Sequence, residues 1–145
     1  MEILNYSVVP KLTTEVVFPL SDETKSLIAG MKATLIGTGG YGLAAPQVGS
    51  NAKIFVYRKS STSSKIIVVI NPEVVLSSGK MLSVNEGCLS VPGERRTIKR
   101  AKVFKIRYKN ESGEEELLRA TSKLETIILQ HENDHLLGIT ILDHK

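Results

Sequence analysis

The sequence predicts an α+β fold. Helical apolar spacing is confined to one segment near each end, and the residues between them form β-like runs separated by turn signals. Strands grouped between two helices, rather than alternating with them, argue against βαβ units. With 145 residues, 41% hydrophobic and 23% charged, the chain has the balance of a globular protein and the length of one domain over residues 1–145.

The first helix is expected over residues 22–35. Ser21 can cap its start, Leu27, Ile28, Met31 and Leu35 share a face, and Gly37 is a stop signal. Strands are expected at 53–58, 65–70, 73–76, 98–109 and 115–120. The polar run 59–65 reads as a hairpin loop, and Asn110-Glu111-Ser112-Gly113 as a hairpin turn. The second helix is expected over 123–137, with Ser122 and Glu125 as a capping box and Gly138 at the stop position.

Composition excludes several classes of function. Apolar runs such as 66–70 are far too short to cross a bilayer, and the N-terminus lacks the pattern of a secretory signal. A single cysteine permits no intrachain disulfide. A reducing cytoplasm is expected, bacterial or, for a virus-encoded chain, that of the host. The net charge of +4 is that of a solvated surface and identifies no specific nucleic-acid partner.

The second helix carries the chemistry. His131-Glu132-Asn133-Asp134-His135 has the H-E-x-x-H spacing. Positions i and i+4 share a helix face, so both imidazoles can meet one metal. Glu132 lies about 100° round the helix, placed to act as a general base rather than as a ligand. Leu124, Ile127 and Ile128 extend the histidine face, which is expected to be the buried one. A catalytic site of this kind uses three protein ligands. The downstream His of one protease class would fall at Ile141, and only Asp143 and His144 follow, on a tail expected to be mobile. Cys88, in Glu86-Gly87-Cys88-Leu89-Ser90, is the upstream candidate; a lone cysteine is commonly an inert core residue, but beside two metal-ready histidines a third ligand fits better.

Three segments stand in order: Gly40-Tyr41-Gly42-Leu43-Ala44-Ala45-Pro46-Gln47, then Glu86-Gly87-Cys88-Leu89-Ser90, then Gln130-His131-Glu132-Asn133-Asp134-His135-Leu136. Together they resemble the three signature motifs of the peptide deformylases, over residues 27–143. The resemblance implies antiparallel strands packed around the H-E-x-x-H helix as a central element. It implies removal of the formyl group from N-terminal formyl-methionine of nascent chains, with formate as product. It also implies one divalent metal on Cys88, His131 and His135, natively Fe(II), with Zn, Ni or Co able to use the same ligands. Glu132 would move protons, and the Gln47 side chain and the Leu89 backbone N–H would donate to the developing oxyanion. Gly42 and Arg95 would meet the peptide backbone, Ile127 and Ile128 would wall the methionine pocket, and Tyr41 would shape the substrate entrance.

The sequence departs from the family in three places. Tyr41 stands where an aliphatic residue is usual, and Asn133 where an apolar one is usual, which predicts looser packing there. The chain stops four residues after Ile141, whereas typical bacterial members continue into a helical extension implicated in ribosome docking. This predicts a short form with weakened ribosome association. Two other readings remain at this point: a small peptidase cutting internal bonds, and a basic ribosome- or RNA-binding module without chemistry.

Overall fold

A computed structural model describes residues 1–60 and 63–144. Helix α1 (Asp22–Thr38) precedes strands β1 (Gly42–Ala44), β2 (Ile54–Tyr57), β3 (Ile67–Ser78), β4 (Met81–Cys88), β5 (Val91–Arg100), β6 (Val103–Lys109) and β7 (Glu115–Arg119). Helix α2 (Lys123–Leu136) follows. The strands form an antiparallel sheet in the order β1-β2-β3-β6-β7 and a separate β4-β5 hairpin. The fold is α+β.

The helices cover opposite faces of the larger sheet. In β2, Ile54 and Val56 pack with Ile28, Met31 and Leu35 of α1. The alternate residues Phe55 and Tyr57 pack with Ile128, Leu129 and Leu136 of α2. Alternate side chains of a strand point to opposite faces, so an all-apolar run is what a strand covered on both sides requires. α2 packs across β1, β2 and β6. Among the described residues, no helix is long and apolar enough to cross a membrane.

Several boundaries differ from the sequence expectation. α1 passes through Gly37 and ends at Gly39, whose φ of 69° is the left-handed conformation of a helix stop. The strands expected at 65–70 and 73–76 are one strand, bent by a bulge. There Asn71 adopts a φ of 52°, and its side-chain amide pairs with both backbone groups of Val16. The strand expected over 98–109 is instead two strands, broken at Ala101. The Gln130 side chain accepts from Ala101 N at 2.8 Å and donates to Ala101 O at 2.9 Å, holding the break against α2. β1, β4 and residues 91–97 of β5 lie outside the strands the sequence predicts. Ser61 and Thr62 of the expected hairpin loop lie outside the described residues, while the flanking β2 and β3 do pair antiparallel.

α2 is enclosed on more than its histidine face: Glu125, Gln130, Glu132 and Asn133 are buried as well. Asn133, the position expected to loosen packing, is therefore part of the interior. Ser122 caps the helix by accepting from Glu125 N at 3.0 Å. The reciprocal half of the expected capping box goes elsewhere. The Glu125 carboxylate accepts from Thr121 N at 2.8 Å and from the Tyr57 hydroxyl at 2.9 Å, tying the helix start to β2.

Candidate metal centre and active site

α2 places His131 and His135 on one side, their ring centroids 4.9 Å apart and their planes at 71°. Cys88, the last residue of β4, meets them from the hairpin. Its Sγ lies 3.3 Å from His135 Nε2, which lies 3.2 Å from His131 Nε2. All three candidate ligand atoms fall within 4.8 Å of one another. Sulfur and nitrogen ligands of one tetrahedral ion, bonded at about 2.0–2.3 Å, stand about 3.3–3.6 Å apart. The donor set and its spacing therefore fit a single transition-metal ion.

Glu86, two residues before Cys88, fixes the histidine. Its carboxylate lies 2.6 Å from His131 Nδ1 and is ion-paired with buried Arg100. Holding Nδ1 in this way leaves Nε2 turned to the site. Arg100 also reaches Asp134 at 2.6 Å, and His144 Nε2 lies 2.9 Å from the same carboxylate oxygen. The tail residue His144, expected to be mobile, is thus packed against α2. Burial opposes ionisation of Glu86, but the hydrogen bonds from His131 and Arg100 outweigh it and hold its carboxyl at about 2.

The imidazoles are driven apart electrostatically. Burial alone would lower His131, but its contacts with Cys88 and Glu86 raise it to about 10. His135 is pushed down to about 3 by burial, then by the charges on His131 and Arg100. Ligating imidazoles are neutral, so metal binding at these residues competes with their protonation.

Glu132 is buried, and its Oε1 is a buried polar atom without a partner among the described residues. Burial raises its carboxyl to about 7. The side chain lies across Gly42 of β1, where a Cβ would stand 2.6 Å from Glu132 Oε2. Gly42 is thus glycine because the carboxylate occupies the space a side chain would need. Gly42→Ala is expected to lower kcat about 10²-fold with the metal retained, because a displacement near 1 Å costs on that order. Steady-state rates beside metal analysis check this; an unchanged kcat would show that the Glu132 position is not critical.

Gln47 closes a short 3₁₀ turn, Ala45–Val48, and is 2% exposed. Its Oε1 accepts from Ala44 N at 2.9 Å, which turns its amide nitrogen toward Ser90 Oγ at 3.1 Å and Cys88 Sγ at 3.7 Å. A cleft of ≈ 570 Å³ runs over these groups. Tyr41, Gly42, Gln47, Leu89, Ile127, Ile128, His131 and Glu132 all line it. Arg95 joins them from β5, its guanidinium lying over Gly87 where a Cβ would collide with it. His135 instead borders a smaller pocket of ≈ 80 Å³ lined by the N-terminal segment and the residues after α2. The structure thus gathers the sequence-predicted residues around one cleft, except His135, whose Nε2 nonetheless meets Cys88 and His131. Sequence reasoning assigned no role to Glu86 and Ser90, although both stood in the quoted motif, and it missed Arg100 and Asp134 as partners of that motif.

The comparisons agree with this geometry. The family model for polypeptide deformylase matches residues 2–145. Peptide deformylase 1 of Nostoc sp. is 40% identical over 126 residues, covering 86% of this chain and 67% of the relative. Peptide deformylase 1 of Clostridium perfringens is 40% identical over 130 residues, with 90% and 86% covered. The crystal structure of peptide deformylase from Thermotoga maritima superposes with a TM-score of 0.87 at 32% identity, covering 99% of this chain and 95% of that one. A cysteine and two histidines converging beside a buried glutamate, on a fold shared over nearly the whole chain, thus place it among known proteins: it belongs to the polypeptide deformylase family.

Proposed function

We propose that residues 1–145 act as one catalytic domain that removes the formyl group from N-terminal formyl-methionine of nascent polypeptides, releasing formate. Membership of a metal-dependent hydrolase family supports this. The observation that carries it is the meeting of Cys88, His131 and His135 beside buried Glu132 at the cleft. These three residues hold one divalent ion. Fe(II) is the proposed native metal, and one sulfur with two imidazoles also suits Zn, Ni or Co. Bound there, the metal supplies Lewis acidity and makes hydroxide available near neutral pH.

The chain's own groups do the rest. Glu132 takes the proton of the attacking water and returns one to the leaving amine. Gln47, its amide aimed by Ala44, donates to the formyl oxygen as charge develops on it, together with the Leu89 N–H. β1 is an edge strand, so Gly42 is placed to pair with an extended substrate backbone, with Arg95 opposite. Ile127 and Ile128 wall the methionine pocket, and Tyr41 narrows its entrance. Because the substrates are nascent chains, the protein works in the cytoplasm.

Chelation tests the metal requirement. Formate release from formyl-Met-Ala-Ser is expected to fall to background after dialysis against a chelator and to return with anaerobic Fe(II), Ni or Co. Release that persists in protein shown to be metal-free would overturn the proposal.

A further inference from the structure

The N-terminal segment touches each of the three segments that build the site. Leu4 N donates to Gln47 O at 2.7 Å, and Tyr6 N donates to Ser90 O at 2.8 Å. Further along, the Thr13 hydroxyl donates to Leu136 O at 2.8 Å, satisfying a carbonyl at the end of α2 beside His135. Leu4 and Tyr6 are alternate residues flanking extended Asn5 (φ −66°, ψ 145°), so their N–H groups act as two pins of one short rod. Gln47 and Ser90 are also joined directly by the bond from the Gln47 amide to Ser90 Oγ at 3.1 Å. The rod therefore fixes the backbones of two residues whose side chains set where the Gln47 amide points.

We propose that Leu4 and Tyr6 are positioning residues: through their backbone N–H groups they clamp Gln47 and Ser90, and so hold the Gln47 amide at its donor position beside Cys88. This rests on the deformylase reading for its catalytic consequence, but not for its geometry. The clamp acts on the transition state rather than on ground-state binding. Its loss therefore lowers kcat while KM and metal content stay fixed.

Tyr6→Pro tests this cleanly. Asn5 already has the backbone conformation that precedes a proline, and position 6 opens a short 3₁₀ turn, Tyr6–Val8, where proline is accepted. The variant therefore keeps the conformation of Asn5 while it removes the N–H and sets the ring Cδ against Ser90 O, so the clamp is broken both by the lost bond and by contact. Tyr6→Ala keeps the N–H and serves as the comparison. The expected result is a kcat about tenfold lower for Tyr6→Pro than for Tyr6→Ala, with equal KM and equal metal, since small misplacements of a catalytic group cost at least this much. In the zinc-loaded protein, the Gln47 side-chain amide resonances should shift in Tyr6→Pro and stay in place in Tyr6→Ala.

A folded, metal-loaded Tyr6→Pro with the kcat and Gln47 resonances of Tyr6→Ala would overturn the clamp. If the parent releases no formate, the deformylase reading fails and the Gln47 resonances alone decide. If Tyr6→Pro does not fold, amide hydrogen exchange on the parent decides. Protection of Leu4 and Tyr6 comparable to the core supports the clamp, and exchange at unfolded-chain rates overturns it.

Discussion

Replacing Glu132 by Gln leaves the metal in place and lowers kcat for formyl-peptide hydrolysis by about three orders of magnitude, within the range for loss of a general acid–base group. Gln has the same shape and keeps the packing across Gly42. What it loses is the ability to accept the proton of the attacking water and return it to the leaving amine. The same variant is expected to be more stable in the absence of metal. The wild-type carboxylate keeps a buried oxygen without a partner, and a neutral amide removes the cost of burying that charge. A gain of about 1–3 kcal/mol, read as a higher Tm above pH 7 where the carboxyl is charged and shrinking as the pH falls toward its unfolded value, fits the removal of a buried charge. Activity and stability thus move in opposite directions, as they do where a site keeps a costly group for its chemistry. A kcat within tenfold of the parent would place the base elsewhere.

Cys88→Ala is expected to lose the metal itself. Removing the sulfur leaves two imidazoles, and the affinity falls by more than the roughly 10–100-fold that follows loss of a supporting partner. After gel filtration the variant should hold well under one ion per chain, with formate release near background. Its secondary structure should persist, because Cys88 adds little to the large clusters between sheet and helices. Full metal occupancy in Cys88→Ala would remove the cysteine from the ligand set.

What the sequence made legible follows from the range of the interactions involved. The H-E-x-x-H helix was readable because its signals are local: a cap at Ser122, two histidines one turn apart and apolar neighbours on their face. The central strands were readable from their apolar runs. β4 was not, because Leu82 and Val84 are exposed and its hairpin lies apart from the main sheet. The break at Ala101 depends on Gln130, a residue of α2 that no local pattern connects to it. The same holds for the site. Gln47 and Leu89 came into view through the family resemblance alone. Arg100 joins Glu86 and Asp134 across two elements, with no periodicity to announce it. Gly42 is required by the bulk of Glu132, a contact created only when α2 packs on β1.

Formate release from formyl-Met-Ala-Ser, by protein purified anaerobically with Fe(II), addresses the whole assignment at once. Formate and free Met-Ala-Ser should appear in equal amounts, with no cleavage between Met and Ala and no reaction of the acetylated peptide. A folded, metal-loaded protein that leaves the formyl group intact, or that cuts the internal bonds instead, would contradict the deformylase assignment.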